Sequence, residues 1–282
     1  MSTLYLVATP IGNLGDLSPR AREILSTVDF IAAEDTRVTQ KLLTACELPR
    51  KPMISYYEHN RRARGEVVLE RMLGGETCAL VTDAGTPAVS DPGEDLVALC
   101  AEHDVPVIPI PGCCAAVCAL AASGLPTGRW CFEGFLSVNK KARREHLDAL
   151  QGEKRTMIFY EAPHKLCATL RDLRDAFGGD RRLSLSRELT KLHEQTLRMT
   201  LDEAVAYFDA NAPRGEFVLI LEGAPDEPET EQDEAERLAS AAEAVRRRME
   251  QGQTQKDAVK AVSAETGVKK NALYRYVLDH EE

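Results

Sequence analysis

The sequence predicts an α/β protein with two α/β domains, a cleft between them, and a small C-terminal helical domain. Its 282 residues are enough for two domains of about 100–150 residues with an appendage. Strand-like runs alternate with helical patterns over the first 222 residues, and an acidic, proline-containing segment follows. The predicted divisions are residues 1–112 and 113–224 for the two α/β domains, 225–236 for an acidic linker, and 237–282 for a helix-turn-helix-like domain.

Eight short apolar runs, rich in β-branched and aromatic residues, predict the strands. They are Leu4–Ala8, Phe30–Ala33, Thr77–Thr82, Val105–Ile110, Trp130–Phe135, Thr156–Tyr160, Leu183–Ser186 and Phe217–Leu221. Between several of them, apolar residues recur at the i, i+3, i+4 spacing of a helix, as in Val67–Leu73, Leu96–Ala101 and Leu166–Phe177. Strands that alternate with helices favour largely parallel sheets.

Residues 222–236 contain eight acidic residues and no basic one, so much of the net charge of −10 lies in one segment. Lacking apolar residues other than alanine, this segment is predicted to be a solvated tether. Three short helices are predicted beyond it, over Ala235–Met249, Gln255–Glu265 and Lys269–Leu278. The last two have the helix–glycine turn–helix pattern of small nucleic-acid-binding modules, but a basic face on a docking or dimerising bundle fits them equally well.

Composition argues against a membrane protein and against a metal site. No apolar run reaches the ~18 residues of a membrane span, and the N-terminus lacks the features of a signal peptide. None of the eight cysteines forms a C-x-x-C pair. They are therefore interpreted as small apolar residues in a reducing, cytoplasmic protein, and no metal is expected.

Three glycine- and proline-rich segments follow predicted strands, where open α/β sheets bind ligands. They are TPIGNLGDLS (residues 9–18), TDAGTPAVSDPG (82–93), and PIPG (109–112) with the small-residue helix Cys113–Ala122. None matches the dinucleotide or nucleoside-triphosphate fingerprints. The first segment is interpreted as a ligand-lining loop, although a plain turn with a helix cap at Ser18 is the alternative. The second segment contains two glycines, two prolines, two aspartates and three hydroxyl residues, more turn-forming residues than a simple chain reversal needs.

Three charged motifs follow other predicted strands. They are EDTR (residues 34–37), FYEAPHK (159–165) and RELTKLHE (187–194). One such cluster is most often a salt-bridged surface loop. Three at equivalent strand ends of one architecture indicate a shared cleft.

The motifs TPIGNLGDLS, EDTR, DAGTPAVSDPG, FYEAPH and RELTKLHE, in this order, resemble those of ribosomal RNA small subunit methyltransferase I. That family is a bacterial branch of the tetrapyrrole-methylase-like (class III) methyltransferases. The resemblance covers residues 3–223 and extends to the helical tail. One departure is Cys113-Cys114, where relatives commonly have Pro-Ser after Pro-Gly.

This resemblance implies S-adenosylmethionine as methyl donor, a cytidine ribose 2′-hydroxyl in the decoding region of 16S rRNA as acceptor, and a homodimer that acts on rRNA or the 30S subunit. Carried over by position, the donor-binding residues are expected to be Pro10, Ile11, Asp83, Ala84, Gly85, Thr86, Cys114, Ala115, Tyr160, Glu161 and Ala162. The Gly215–Val218 segment is expected nearby.

A ribose hydroxyl is almost fully protonated at neutral pH, so such a reaction would need precise positioning and a group that accepts a proton. The base candidates weighed are Asp35 and His164 and, preferred over these, Glu34, Glu161, Glu188 and Lys191. The lysine qualifies only if its pKa is lowered.

Basic residues in several places could contact RNA phosphates. The predicted RNA-binding residues are Arg37, Arg61, Arg62, Lys140, Lys141, Arg143, Arg144, Arg187, Lys269 and Lys270. Two alternatives stay open: methylation of a tetrapyrrole carbon, and a non-catalytic ribosome-assembly protein that binds RNA.

Overall fold

The computed structural model describes residues 2–225 and 231–280. It divides into two compact units, Met1–Ala224 and Pro225–Glu282. The first unit holds two five-stranded sheets. None of the described helices is long and apolar enough to cross a membrane.

The first sheet is entirely parallel, as the alternation of strands and helices predicts. Its strands are β1 (Leu4–Val7), β2 (Phe30–Ala33), β3 (Met53–Ser55), β4 (Cys78–Val81) and β5 (Val107–Ile110), in the order β3-β2-β4-β1-β5. Helices α1 (Pro19–Thr27) and α2 (Thr36–Ala45) follow β1 and β2, and α3 (Arg61–Leu73) and α4 (Glu94–Glu102) follow β3 and β4. Leu25 and Leu43 are buried on one face of the sheet, and Met72 and Leu96 on the other.

The second sheet is mixed, which corrects the expectation of largely parallel sheets. Its strands are β6 (Trp130–Phe135), β7 (Thr156–Glu161), β8 (Arg182–Arg187), β9 (Gln195–Thr200) and β10 (Phe217–Leu221), in the order β6-β7-β10-β8-β9. Only β6 and β7 pair in parallel; β10 runs antiparallel to β7 and β8, and β8 antiparallel to β9. A short loop joins β8 directly to β9, and such a loop joins antiparallel neighbours because a parallel pair needs a long crossover.

Four helices cover the second sheet. Helices α6 (Lys140–Ala149), α7 (Pro163–Phe177) and α8 (Leu201–Ala210) pack on one face. The small-residue helix α5 (Ala115–Ser123) packs on the other, where Ala119 meets the buried Ile158 and Val218. Because α5 starts in the loop after β5, it connects the two sheets at one edge of each.

The second unit is a bundle of three helices, as predicted. They are α9 (Glu231–Glu250), α10 (Gln255–Thr266) and α11 (Lys270–Asp279), with Val245, Val262 and Leu273 in their shared core. Helix α9 starts at Glu231, earlier than the predicted Ala235, because glutamate and glutamine are good helix formers and acidic residue types are favoured in a first turn. Residues 226–230 of the predicted linker lie outside the described residues, and the four-part division stays a prediction.

Candidate active site

A cavity of about 320 Å³ lies where strand ends of the two sheets meet. The loops after β1, β2, β4 and β5 line it from the first sheet, and the ends of β6, β7 and β8 from the second. Because β10 runs antiparallel to β7 and β8, its beginning at Glu216 and Phe217 lies at this same edge. The shared cleft expected from the charged motifs is therefore present.

All of the predicted donor-binding residues except Pro10 line this cavity. They are Ile11, Asp83, Ala84, Gly85, Thr86, Cys114, Ala115, Tyr160, Glu161 and Ala162, and the predicted base candidates Glu34, Glu188 and Lys191 join them. Further lining residues come from segments that the sequence analysis names without giving these residues individual roles, namely Thr82, Val89, Ser90 and Asp91 of TDAGTPAVSDPG and Leu189 of RELTKLHE. Phe135 also lines the cavity and belongs to no predicted motif. The position of Phe135 at the end of a predicted strand was the available signal for that residue.

Hydrogen bonds hold the glycine-rich loops together in one rim. Thr9 and Gly85 exchange two backbone hydrogen bonds, with N···O distances of 2.9 and 3.1 Å. The Thr86 hydroxyl donates to the Cys113 carbonyl at 2.9 Å, which joins the loop after β4 to the loop before α5. Gly85 has a φ of 94°, a conformation that glycine adopts without steric cost. The rim is therefore fixed by the backbone before any ligand arrives.

The Tyr160 side chain contacts the first turn of α5. Its hydroxyl oxygen accepts a hydrogen bond from the Ala116 N–H at 3.0 Å, and its ring makes edge-to-face contacts with Phe132 and Phe135. Burial raises the pKa of Tyr160 to about 12, so the phenol is neutral at physiological pH. The tyrosine gives the cavity an apolar wall.

Three carboxylates lie together at the ends of β2 and β4. Glu34 accepts hydrogen bonds from the Thr82 hydroxyl and from the Asp83 N–H. Burial raises the pKa of Asp91 to about 6, and the nearby negative charges of Glu34 and Asp83 add to this effect. Burial, followed by the charge of Glu34, also raises the pKa of Asp83. This part of the cavity therefore carries an excess of negative charge.

The carboxylate of Glu161 is already used within the fold. Only 3% of this residue is exposed, and its oxygens accept hydrogen bonds from the Thr169 hydroxyl and the Ala162 N–H. Ala162 directly precedes α7, and Thr169 lies in the second turn of that helix. This arrangement is suited to holding the helix against β7, and it leaves Glu161 a poor candidate for the base.

Lys191 does not meet the condition set for a lysine base. Burial alone would lower its pKa, but the carboxylates of Glu188 and Glu216, whose oxygens lie 2.9 and 3.0 Å from Nζ, outweigh this effect and raise it. The hydrogen bond from Lys191 lowers the pKa of Glu188 in turn. The condition of a lowered pKa is therefore not met, and this group is a cation that links the end of β8 to the start of β10.

The predicted RNA-binding cations differ in how accessible they are. The side chain of Arg143 is only 13% exposed and is bound by Asp172 and Thr169, so this residue braces α6 against α7 and is not available to RNA. Arg37 is exposed but pairs with Asp35, whose pKa its guanidinium holds at about 2. Arg61 pairs with Glu58, and Arg187 is half-buried. The other exposed members are Arg62, Lys140, Lys141, Arg144, Lys269 and Lys270.

Comparison with known proteins relates residues 3–205 to the family of tetrapyrrole (corrin/porphyrin) methylases. The chain is 50% identical over 281 residues to ribosomal RNA small subunit methyltransferase I of Synechocystis. The alignment spans 100% of this chain and 99% of that relative. It is 42% identical to the Escherichia coli O157:H7 protein of the same name, over 99% and 95% of the two chains.

Solved structures show the same fold at low identity. The Thermus thermophilus uroporphyrin-III C-methyltransferase, complexed with S-adenosylhomocysteine, superposes with a TM-score of 0.54 at 18% identity, over 78% of this chain and 97% of that one. A cobalamin biosynthetic cobalt precorrin-4 methyltransferase gives a TM-score of 0.55 at 19% identity, over 77% and 94%.

Proposed function

Because the chain belongs to the tetrapyrrole methylase family and, within it, to the ribosomal RNA small subunit methyltransferase I proteins, we propose that it methylates a cytidine ribose 2′-hydroxyl in the decoding region of 16S rRNA. The chain is an S-adenosylmethionine-dependent methyltransferase. Its identity to relatives that carry the small-subunit name over nearly their whole length is the observation that carries the choice of acceptor. A cytoplasmic homodimer is part of the same proposal.

The cavity residues fit the methyl donor, which supplies a methyl group activated by a cationic sulfur. A volume of about 320 Å³ lies within the range of small-molecule sites. Six carboxylates line the cavity against one lysine, and this excess of negative charge favours a cation. We assign donor binding to the rim around Ile11, Gly85 and Thr86, with Ala115 and Tyr160 facing it from the other side.

The contribution of the protein to the rate is chiefly positioning. Two reactants held in a near-attack geometry can gain ~7–11 kcal/mol, whereas a general base typically contributes about 10²–10⁴-fold. The hydrogen-bonded rim formed by Thr9, Gly85, Thr86 and Cys113 is suited to such positioning. Among the four preferred base candidates, Glu161 is buried, and Glu188 and Lys191 form an ion pair with each other. Glu34 is therefore the accessible carboxylate of the four, and it accepts a hydrogen bond from Thr82.

The test is transfer of a labelled methyl group to small ribosomal subunits from cells that lack this gene. We expect label on one cytidine of 16S rRNA, located by mass mapping. Donor binding without transfer to subunits, together with transfer to uroporphyrinogen, would favour the tetrapyrrole alternative. Absence of donor binding in isothermal titration would favour the non-catalytic alternative.

Two tryptophan variants on one helix test where the donor binds. Ala115→Trp fills the cavity and should abolish donor binding in isothermal titration. Val117→Trp is the matched control, because Val117 is exposed on α5 and does not line the cavity. Equal donor affinity in the two variants would contradict the assigned donor site.

A further inference from the structure

A second, open groove of about 550 Å³ adjoins the donor cavity. The connection from β3 to α3 forms one wall with Tyr57 and His59, and the loop after β4 forms the other. Glu34, Ser90 and Asp91 line both the groove and the cavity. A molecule in the groove therefore meets the donor cavity at these three residues.

The walls of the groove combine aromatic rings with hydrogen-bond acceptors. Tyr57 is 42% exposed, and its ring lies edge-to-face against His59 with centroids 6.3 Å apart. Exposed aromatic rings are the platforms on which proteins stack single-stranded bases. Carboxylates line the remainder at Glu34, Glu58, Asp91 and Glu94. They suit hydroxyl and amino donors such as a ribose hydroxyl or the exocyclic amine of cytosine.

Phosphate groups do not fit among these carboxylates, because like charges repel at short range. Cations lie just beyond the aromatic wall, where α3 starts at Arg61 and continues with the exposed Arg62 and Arg64. Phosphate contacts position a nucleic acid, whereas contacts to the base select the nucleotide. The charge distribution thus favours a nucleoside inside the groove with its flanking phosphates on the first turn of α3.

We propose that this groove binds the acceptor nucleoside, with its base on Tyr57, and that Asp91 takes the proton from its hydroxyl at the junction with the donor cavity. The inference rests on the proposed function, since it assumes a nucleoside acceptor. In the transfer, the hydroxyl oxygen forms a bond to the methyl carbon, the carbon–sulfur bond breaks with its electron pair going to sulfur, and the hydroxyl proton passes to the Asp91 carboxylate.

The environments of the two junction carboxylates divide their roles. Glu34 accepts hydrogen bonds from the Thr82 hydroxyl and the Asp83 N–H, which hold its carboxylate in place and suit it to orienting the acceptor. The anion of Asp91 is destabilised by burial and by the charge of Glu34, so a proton released at the junction passes to Asp91. The other titratable groups that face Asp91 are Asp83, Tyr160, and the groove residues Glu58, His59 and Glu94.

Steady-state kinetics with small ribosomal subunits test the aromatic wall. Tyr57→Ala should raise KM for the subunit at least tenfold and leave the dissociation constant of S-adenosylmethionine within twofold. Tyr57→Phe keeps the ring and should restore KM. The matched control is Tyr207→Ala, a tyrosine of similar exposure on α8 outside the groove. An unchanged KM in Tyr57→Ala, with active wild-type enzyme, overturns the groove and leaves the proposed function intact.

The pH profile of kcat tests Asp91. The wild-type kcat should fall as the pH drops below about 6. Asp91→Asn should lower kcat about 100-fold or more, leave KM within threefold, and lose this acidic limb. Histidine also changes charge in this pH range, so His59→Gln is the control and should keep the limb. A loss of kcat under tenfold, or an acidic limb that persists in Asp91→Asn, overturns the role of Asp91.

Discussion

At the scale of single residues, Asp91 is held where its negative charge is unfavourable. The carboxylate is partly buried, and the charges of Glu34 and Asp83 lie close to it. A carboxyl group whose pKa is higher in the folded than in the unfolded chain destabilises the fold at every pH where it is ionised. The arrangement is therefore costly for stability, and a role in the chemistry of the site gives a reason for it.

We predict that Asp91→Asn stabilises the protein at pH 7.5. The pKa rises from 3.8 to about 6, so the wild type loses stability as the pH rises from below 3.8 through 6. Two pKa units correspond to ~2.7 kcal/mol at most, and solvent screening at a partly exposed group reduces this to about 1 kcal/mol. Urea unfolding should show this gain at pH 7.5 and a smaller one as the pH falls below 6. Asp148→Asn, at an exposed position on α6, is the control and should show no such trend. A gain that does not depend on pH would contradict the explanation.

Tyr160 gives a second prediction at this scale. Tyr160→Phe keeps the ring but removes the oxygen that accepts the Ala116 N–H at the start of α5. A partly buried donor without a partner costs about 1–3 kcal/mol, so the free energy of unfolding should fall by that amount. Donor affinity should fall as well, because α5 borders the cavity. Tyr207→Phe is the control, and an equal loss in both variants would argue against a role for this hydrogen bond.

The positions of single residues were predictable only where they depend on chain position. The residues that line the cavity lie at strand ends, and the sequence shows where strands end. The side chains of Glu161, Lys191 and Arg143 depend on partners that lie some distance away along the chain, such as Thr169, Glu216 and Asp172. A motif cannot reveal these partners, so it could not show that two of the expected bases and one expected RNA contact serve other purposes.

At the scale of elements, loops after parallel strands are held close to one another. Gly112 shows this closeness, because a Cβ atom on it would lie 2.8 Å from the Ala8 Cβ and 3.5 Å from the Ala8 carbonyl oxygen. The loop after β5 thus touches the end of β1. Close approach of the backbone is the physical reason for glycine at this position.

We predict that Gly112→Ala displaces the loop that leads into α5. Overpacking of this kind costs about 1–3 kcal/mol in the free energy of unfolding. The affinity for S-adenosylmethionine should fall at least tenfold, because the displaced loop carries Cys114 and Ala115 into the cavity wall. Calorimetric titration and thermal unfolding measure the two effects. Gly128→Ala is the matched control, since no atom lies within 4 Å of an added Cβ there. Donor binding unchanged in Gly112→Ala would contradict the tight contact.

Strand direction was the least predictable feature of the elements. Eight strands were found because apolar runs mark them, but β3 has only three residues and β9 alternates Leu197 and Met199 with polar residues. Because β9 was not predicted, neither the β8–β9 hairpin nor the antiparallel direction of β10 could be predicted from the sequence. Pairing between strands distant in sequence is set by tertiary packing, which local patterns do not record.

At the scale of the whole molecule, the helical bundle has an apolar core that shares no residue with the cores of the first unit. The second unit buries Val245, Val259, Val262 and Leu273 among its own three helices. The donor cavity is lined entirely by residues of the first unit, from Ile11 to Val218. The donor site that we assign to this cavity therefore includes no residue of the helical bundle.

We predict that the chain ended at Ala224 folds and binds the donor as the full chain does. Its dissociation constant for S-adenosylmethionine should stay within twofold and its melting temperature close to that of the first unit in the full chain, measured by titration and calorimetry.

Affinity for small ribosomal subunits should fall, because the exposed Lys269 and Lys270 are lost. The slope of log affinity against log salt should then decrease by about 0.7–0.9 per lost phosphate contact. Lys269→Ala with Lys270→Ala in the full chain should reproduce the smaller slope. An unchanged slope in both proteins would assign the bundle to docking or dimerisation, and loss of donor binding on truncation would contradict the independence of the two units.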